Sequence, residues 1–138
     1  MNTYTYDEIN IGHKESFAVV VTEKERDMFR EITGDVNPLH NDEAYAKEKG
    51  HEKCVAFGML SASYLSTLAG VYLPGERSLI QKTELAFRKP VYVGDTLTIT
   101  GEVSEKNDTF RIIVLKVEIK NQDGVKVVKG KMEVAVMD

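Results

Sequence analysis

The segment from Gly58 to Ala69 restricts the fold most. It is apolar or small on nearly every side, with Met59, Leu60, Ala62, Leu65, Leu68 and Ala69 set among serines. A helix without a polar face is normally a buried helix. Its small residues Ala62, Ser66 and Gly70 predict a close approach to a sheet. The strands for that sheet lie mostly downstream. Leu79, Leu85 and Phe87 share one side of a strand that Pro90 closes. Leu97, Ile99 and Val103 face one way, with Thr96, Thr98 and Thr100 opposite. Ile113, Leu115, Val117 and Ile119 fill one face of Phe110–Lys120. Asn121-Gln122-Asp123-Gly124 is a hairpin signal. The last strand puts Val128, Met132, Val134 and Val136 inside and Lys129, Lys131 and Glu133 outside. The expectation is an α+β fold, a long and mostly antiparallel sheet wrapped around one buried helix.

The first half supplies one strand and short helices. Ser16–Val21 alternates, with Phe17, Val19 and Val21 on one side. Thr22-Glu23-Lys24-Glu25 is a capping box, and it opens an amphipathic helix carrying Met28, Phe29 and Ile32. Gly34 stands at the expected stop. Asp42–Lys49 predicts a short helix ended by Gly50. On the strand before the hairpin, Phe110, Ile112 and Val114 make the second face apolar at one end. One helix cannot cover both faces of a sheet, so a second copy of the chain is the expected cover.

The 138 residues favour one domain over 1–138, and 42% hydrophobic content is enough for a core. A net charge of −4 gives no electrostatic case for nucleic acid or an anionic membrane as partner. No apolar run nears the roughly 20 residues that span a bilayer. The N-terminus MNTYTYDEIN is polar and acidic, unlike an export signal. The single cysteine, Cys54, forms no internal disulfide, which fits the cytoplasm. Cys54 reads as a small, at least partly buried thiol, and His13 and His51 as surface residues.

Between the helix stop and the buried helix lies Gly34-Asp35-Val36-Asn37-Pro38-Leu39-His40. Pro38 forbids helix continuation and biases Asn37 to an extended shape. Alone, Asp35 would read as a turn former and His40 as a structural histidine. Together they form a proton-handling pair at neutral pH, because a free carboxyl is ionised and a free imidazole part-protonated. Gly58 at a helix start offers an unobstructed N–H and the positive end of the helix dipole to an oxyanion. The combination predicts addition of water to, or its removal from, an activated acyl group. There is no Cys/His ligand cluster and no GxGxxG loop, so no metal or organic cofactor is expected.

The Asp35–His40 stretch resembles the hydratase motif of the MaoC-like, (R)-specific enoyl-CoA hydratases. Ile11-Gly12, Ala56-Phe57-Gly58-Met59-Leu60, Leu73-Pro74-Gly75 and Phe87-Arg88-Lys89-Pro90-Val91-Tyr92-Val93-Gly94-Asp95 resemble family landmarks in family order. The resemblance implies the hotdog fold, a curved five-stranded sheet around a central helix. It implies reversible hydration of a trans-2-enoyl thioester, with CoA or acyl carrier protein as carrier, and a homodimer. Asp35 and His40 would bind and activate one water, and the Gly58 N–H would polarise the thioester carbonyl. Ser66 would support the aspartate, and Asn37 would shape the turn beside the substrate. In one departure, Phe57 stands where many members have histidine. The small chain favours short or medium acyl groups. Two alternatives stay open: a hotdog thioesterase, disfavoured because Gly58–Gly70 holds no carboxylate, and a non-catalytic acyl-CoA-binding subunit.

Overall fold

The computed structural model describes residues 1–138. Five strands, β1 (Lys14–Val20), β2 (Ser78–Phe87), β3 (Thr96–Asn107), β4 (Ile112–Lys120) and β5 (Lys126–Val136), form one sheet in the order β1-β3-β4-β5-β2. Every neighbouring pair is antiparallel. Before β2 come α1 (Glu23–Thr33), α2 (Pro38–Asn41), α3 (Glu43–Glu48) and the central helix α4 (Gly58–Thr67). A wider π turn, Leu68–Tyr72, continues α4.

Alternation sets the sheet's inner face. Leu97, Ile99 and Val103 of β3, Ile113, Leu115, Val117 and Ile119 of β4, and Val128, Met132 and Val134 of β5 are buried. They form one core with Leu60, Leu65, Leu68 and Ala69 from α4 and its extension. The α+β arrangement of one helix wrapped by an antiparallel sheet is therefore as expected. The helix contacts the sheet differently from the expectation. Its sheet-facing stripe is Leu60, Ser61, Leu65, Leu68 and Ala69, whereas Ala62 and Ser66 face a cavity. The close approach comes from the sheet's own glycine: a Cβ on Gly101 of β3 would lie 2.8 Å from Leu68 Cδ2. Nor is α4 buried all round, since Met59 is 63% exposed.

Strand β2 also departs from the simple pattern. Ile80 pairs with Val134, but Lys82 pairs with Glu133, so Gln81 is an extra residue in a β-bulge. The bulge reverses the alternation. Ile80, Thr83, Leu85 and Phe87 share the inner face, and Leu79 points outward beside Ala135. The expected grouping of Leu79 with Leu85 and Phe87 therefore fails, because a one-residue slip moves every later side chain to the opposite face. The β3–β4 connection differs too. Phe110 sits in the turn, 69% exposed, because Arg111 takes φ 53° and β4 starts at Ile112.

Local signals explain the helices. Thr22 Oγ1 accepts from the Glu25 N–H at 3.2 Å, and Glu25 Oε2 accepts from the Thr22 N–H at 3.1 Å. Gly34 ends α1 at φ 73°, in the left-handed region that glycine tolerates. Tyr64 of α4 donates its hydroxyl to Glu25 Oε2 at 3.0 Å, tying the start of α1 to the central helix. Burial and the adjacent Glu25 carboxylate raise the Tyr64 pKa. Of the histidines expected at the surface, His13 and His51 are both half-buried: His13 packs edge-on against Tyr4, and His51 Nδ1 lies 3.1 Å from the Tyr92 hydroxyl. Cys54 is half-buried, as expected.

Alanine normally relieves the conformational cost of glycine inside a strand. At Gly101 the opposite outcome is expected, because the added methyl would lie 2.8 Å from the fully buried Leu68, which must shift within the core to admit it. Gly101→Ala should destabilise the fold by about 1–3 kcal/mol, read as a lower urea midpoint with an unchanged m-value.

Candidate functional site

The turn after α1 is held by its own polar groups. The Asp35 N–H donates to Thr33 Oγ1 at 3.2 Å, and Asp35 Oδ1 accepts from the Asn37 N–H at 3.0 Å. Asn37 caps α2, its Oδ1 accepting from the Leu39 N–H at 2.9 Å, with Pro38 at the first helical position. α1 has already ended at Gly34, and proline suits the start of the new helix because its φ is already helical and its missing N–H would have had no partner. Asn41 donates back to the Asn37 carbonyl at 2.8 Å and accepts from Arg30 of α1 at 2.7 Å. Asp35 and His40 are thus fixed at opposite ends of one rigid bend.

His40 is oriented from two sides. Its Nδ1 lies 2.7 Å from the Val55 carbonyl oxygen. A carbonyl only accepts, so Nδ1 carries the proton and Nε2 is the lone-pair nitrogen of the neutral ring. The ring leans on Phe57 with centroids 4.4 Å apart, and Phe57 packs in turn on Phe29 at 5.0 Å. Phe57 is 2% exposed and forms an apolar wall behind the imidazole, at the position where the resemblance implies a histidine. Val55 is anchored as well: its N–H donates to Leu39, and the next N–H, on Ala56, donates to the Val91 carbonyl at 2.7 Å. The same short segment leads directly into α4.

At the start of α4 neither the Gly58 nor the Met59 N–H has a partner within the protein, and no side chain caps the helix. Two free donors at the positive end of a ten-residue helix make an anion-stabilising corner. Gly58 is also closely packed here. A Cβ would lie 3.2 Å from the Phe87 ring, so a side chain at this position would displace that ring by a few tenths of an ångström.

Asp35, His40, Gly58 and Ser66 line one solvent-open cavity of about 790 Å³. Its other walls are mostly apolar, among them Phe29, Met59, Leu65, Ile80, Leu85 and Met132. Asn37 stands apart: it is absent from the wall, and its amide is committed to the helix cap. Ser66 shares the cavity with Asp35, but no hydrogen bond joins them. Sequence reasoning missed Ile80 and Thr83, which the bulge at Gln81 turns inward. It also missed the Val55 carbonyl, a backbone group with no sequence signature. No group of three or more His, Cys, Asp or Glu side chains is arranged to hold a metal, and no helix is long and apolar enough to cross a membrane.

An antiparallel sheet rolled about a central helix, with an acid, an imidazole and free helix amides around one apolar cavity, is the hotdog architecture of acyl-thioester enzymes. Residues 8–125 match the MaoC like domain, and the chain belongs to that family. It is 36% identical to an (R)-specific enoyl-CoA hydratase of Rhodospirillum rubrum, over 77% of each chain. It is 34% identical to the (R)-specific enoyl-CoA hydratase of Aeromonas caviae, over 89% of this chain and 92% of that one. The unliganded R-hydratase of Pseudomonas aeruginosa superimposes with a TM-score of 0.91 at 31% identity, covering 97% of this chain and 86% of the other.

The cap at Asn37 can be tested on its own. Asn37→Asp keeps the accepting oxygen and should leave the melting temperature nearly unchanged. Asn37→Ala should cost about 1 kcal/mol of stability in thermal unfolding.

Proposed function

We propose that the protein is an (R)-specific 2-enoyl-CoA hydratase that also runs in reverse as a (3R)-hydroxyacyl-CoA dehydratase. One observation carries the reading: a carboxylate, an imidazole with a free Nε2 and the unpaired Gly58 N–H share the wall of one cavity. In the hydration direction the thioester oxygen accepts a hydrogen bond from Gly58. As water adds to C3, the C2–C3 π pair moves toward C2 and the thioester oxygen gains charge, which the helix N-terminus stabilises. Asp35 and His40 hold the water between them. Together they take one of its protons and return one to C2, so hydroxyl ends on C3, hydrogen on C2, and the enzyme is unchanged. Asp35 has one oxygen engaged by the Asn37 N–H, leaving the other for the water. The apolar wall suits a short or medium acyl chain. The partners are acyl thioesters, with CoA as the preferred carrier, and the location is the cytoplasm.

The hydratase reading is favoured over a thioesterase. Gly58–Gly70 supplies no carboxylate, and Asp35 enters the cavity from a separate turn. It is favoured over a silent binding subunit because both members of the proton-handling pair are present and oriented.

A homodimer completes this reading. Strand β2 is a sheet edge, and its Leu79, Ile80 and Phe87 are 49%, 40% and 51% exposed. Ile32 of α1 is 80% exposed. An open apolar edge beside an open cavity is a surface that a second copy would bury. Sedimentation at micromolar concentration should therefore give a dimer, and a stable monomer would reject that part of the proposal.

Asp35→Asn keeps an oxygen for the Asn37 N–H, so it should fold normally while losing about 10²–10⁴-fold in turnover of crotonyl-CoA. His40→Asn keeps a donor near the Nδ1 position for Val55 and should lose activity on a similar scale. The wild-type product should be (3R)-hydroxybutyryl-CoA. Full activity in either variant, or an S product, would reject the mechanism.

A further inference from the structure

The mechanism above needs Asp35 and His40 at a set separation, yet the two side chains have different supports. Asp35 follows the end of α1 by two residues, and its N–H is held by Thr33 of that helix. His40 belongs to α2 and is held by Val55, in the segment that leads into α4. The Leu39 carbonyl accepts from the Val55 N–H, so α2 is tied to that segment twice. α2 has four residues, too few to hold a direction of its own. α1 has no fully buried residue. Its start is tied to α4 through Glu25 and Tyr64, and its middle rests on Phe57 through Phe29. Neither contact holds its last turn against α2.

A single side-chain hydrogen bond crosses between α1 and α2. Arg30, in the last turn of α1, donates from Nη1 to Asn41 Oδ1 at 2.7 Å. Nδ2 of the same amide donates to the Asn37 carbonyl at 2.8 Å. Each end of the Asn41 amide thus meets a group that suits it, one on α1 and one at the cap of α2. Arg30 is steadied in turn. Its Nη2 lies 3.3 Å from Asp27 Oδ1, and Arg26 Nη2 lies 3.1 Å from the same oxygen. A charge-assisted bond is among the stronger hydrogen bonds, and a planar guanidinium with two partners has little freedom left. Neither Arg30 nor Asn41 lines the cavity, so neither touches a ligand there. We propose that Arg30 and Asn41 are positioning residues for the reaction: through Asn41, Arg30 locks the turn that carries Asp35 against the helix that carries His40, and so sets the gap that holds the water. This inference rests on the proposed roles of Asp35 and His40. Losing the lock leaves both reacting groups and the acyl wall in place but lets the gap vary, which costs rate rather than affinity.

The test is a double-mutant cycle with Arg30→Met, Asn41→Leu and the two combined, assayed on crotonyl-CoA well below the melting transition of every variant. Each single variant should lose about 10-fold or more in kcat with KM within about 2-fold of wild type. The double variant should be no slower than the slower single one, because both changes break the same link. Asn41→Leu alters no charge, so its loss separates geometry from the field of Arg30. Amide hydrogen exchange, read without substrate, should quicken in both single variants at Asn37, Leu39 and Val55 and stay unchanged along β4. Unchanged kcat, an effect on KM alone, losses that multiply in the double variant, or unchanged exchange at the bend would each overturn the proposal. A wild-type protein that does not hydrate crotonyl-CoA would reject the hydratase reading, and the exchange data would then decide the lock alone.

Discussion

The hydrogen bond from His40 Nδ1 to the Val55 carbonyl organises the candidate site. It fixes the tautomer of the only histidine in the cavity wall. Together with the Val55 N–H bond to the Leu39 carbonyl, it joins two parts of the chain. On one side is the bend after α1, which carries Asp35. On the other is the segment that enters α4, which carries the free Gly58 amide. Because Ala56 donates to Val91, the same segment is held to the connection between β2 and β3. Carboxylate, imidazole and free helix amide thus sit on two segments that are tied to each other and, through Val91, to the sheet. Preorganisation of this kind matters because donors already aimed at developing charge need no reorganisation when it appears.

Much of this was legible in the sequence, for identifiable reasons. The capping box at Thr22 and the stop at Gly34 are local features whose side chains act on neighbouring backbone. β4 alternates along its whole length, β3 up to its bulge after Val103 and β5 from Val128 onward, because one face is dry. Asp35, His40 and Gly58 were legible because their spacing around a proline and a helix start matches a specific family pattern, and the structure brings all three to one cavity.

What escaped has physical causes as well. Ser61 looked like one more small residue on an apolar helix, and only its burial without a partner sets it apart. The small-residue argument placed the helix's close approach at Ala62 and Ser66, but the room was made by Gly101, a strand glycine distant in sequence. From the sequence Pro38 breaks a helix and extends Asn37; in the fold it also starts the four-residue α2 that carries His40. Asn37 shapes the turn, as its place before the proline implies, but through a helix cap that uses its side-chain oxygen. Each case turns on long-range packing or on a group having one partner where two were available.

The extra residue in β2 has a wider consequence. Because Gln81 interrupts the pleat, the two ends of that strand answer to different surroundings. Thr83, Leu85 and Phe87 face the cavity, while Leu79 faces the outside of the sheet. A drift in ligand preference at one end need not disturb the exterior at the other. The irregularity works as a joint in evolutionary design space, letting a single ribbon of backbone acquire a new specificity and a new neighbour independently.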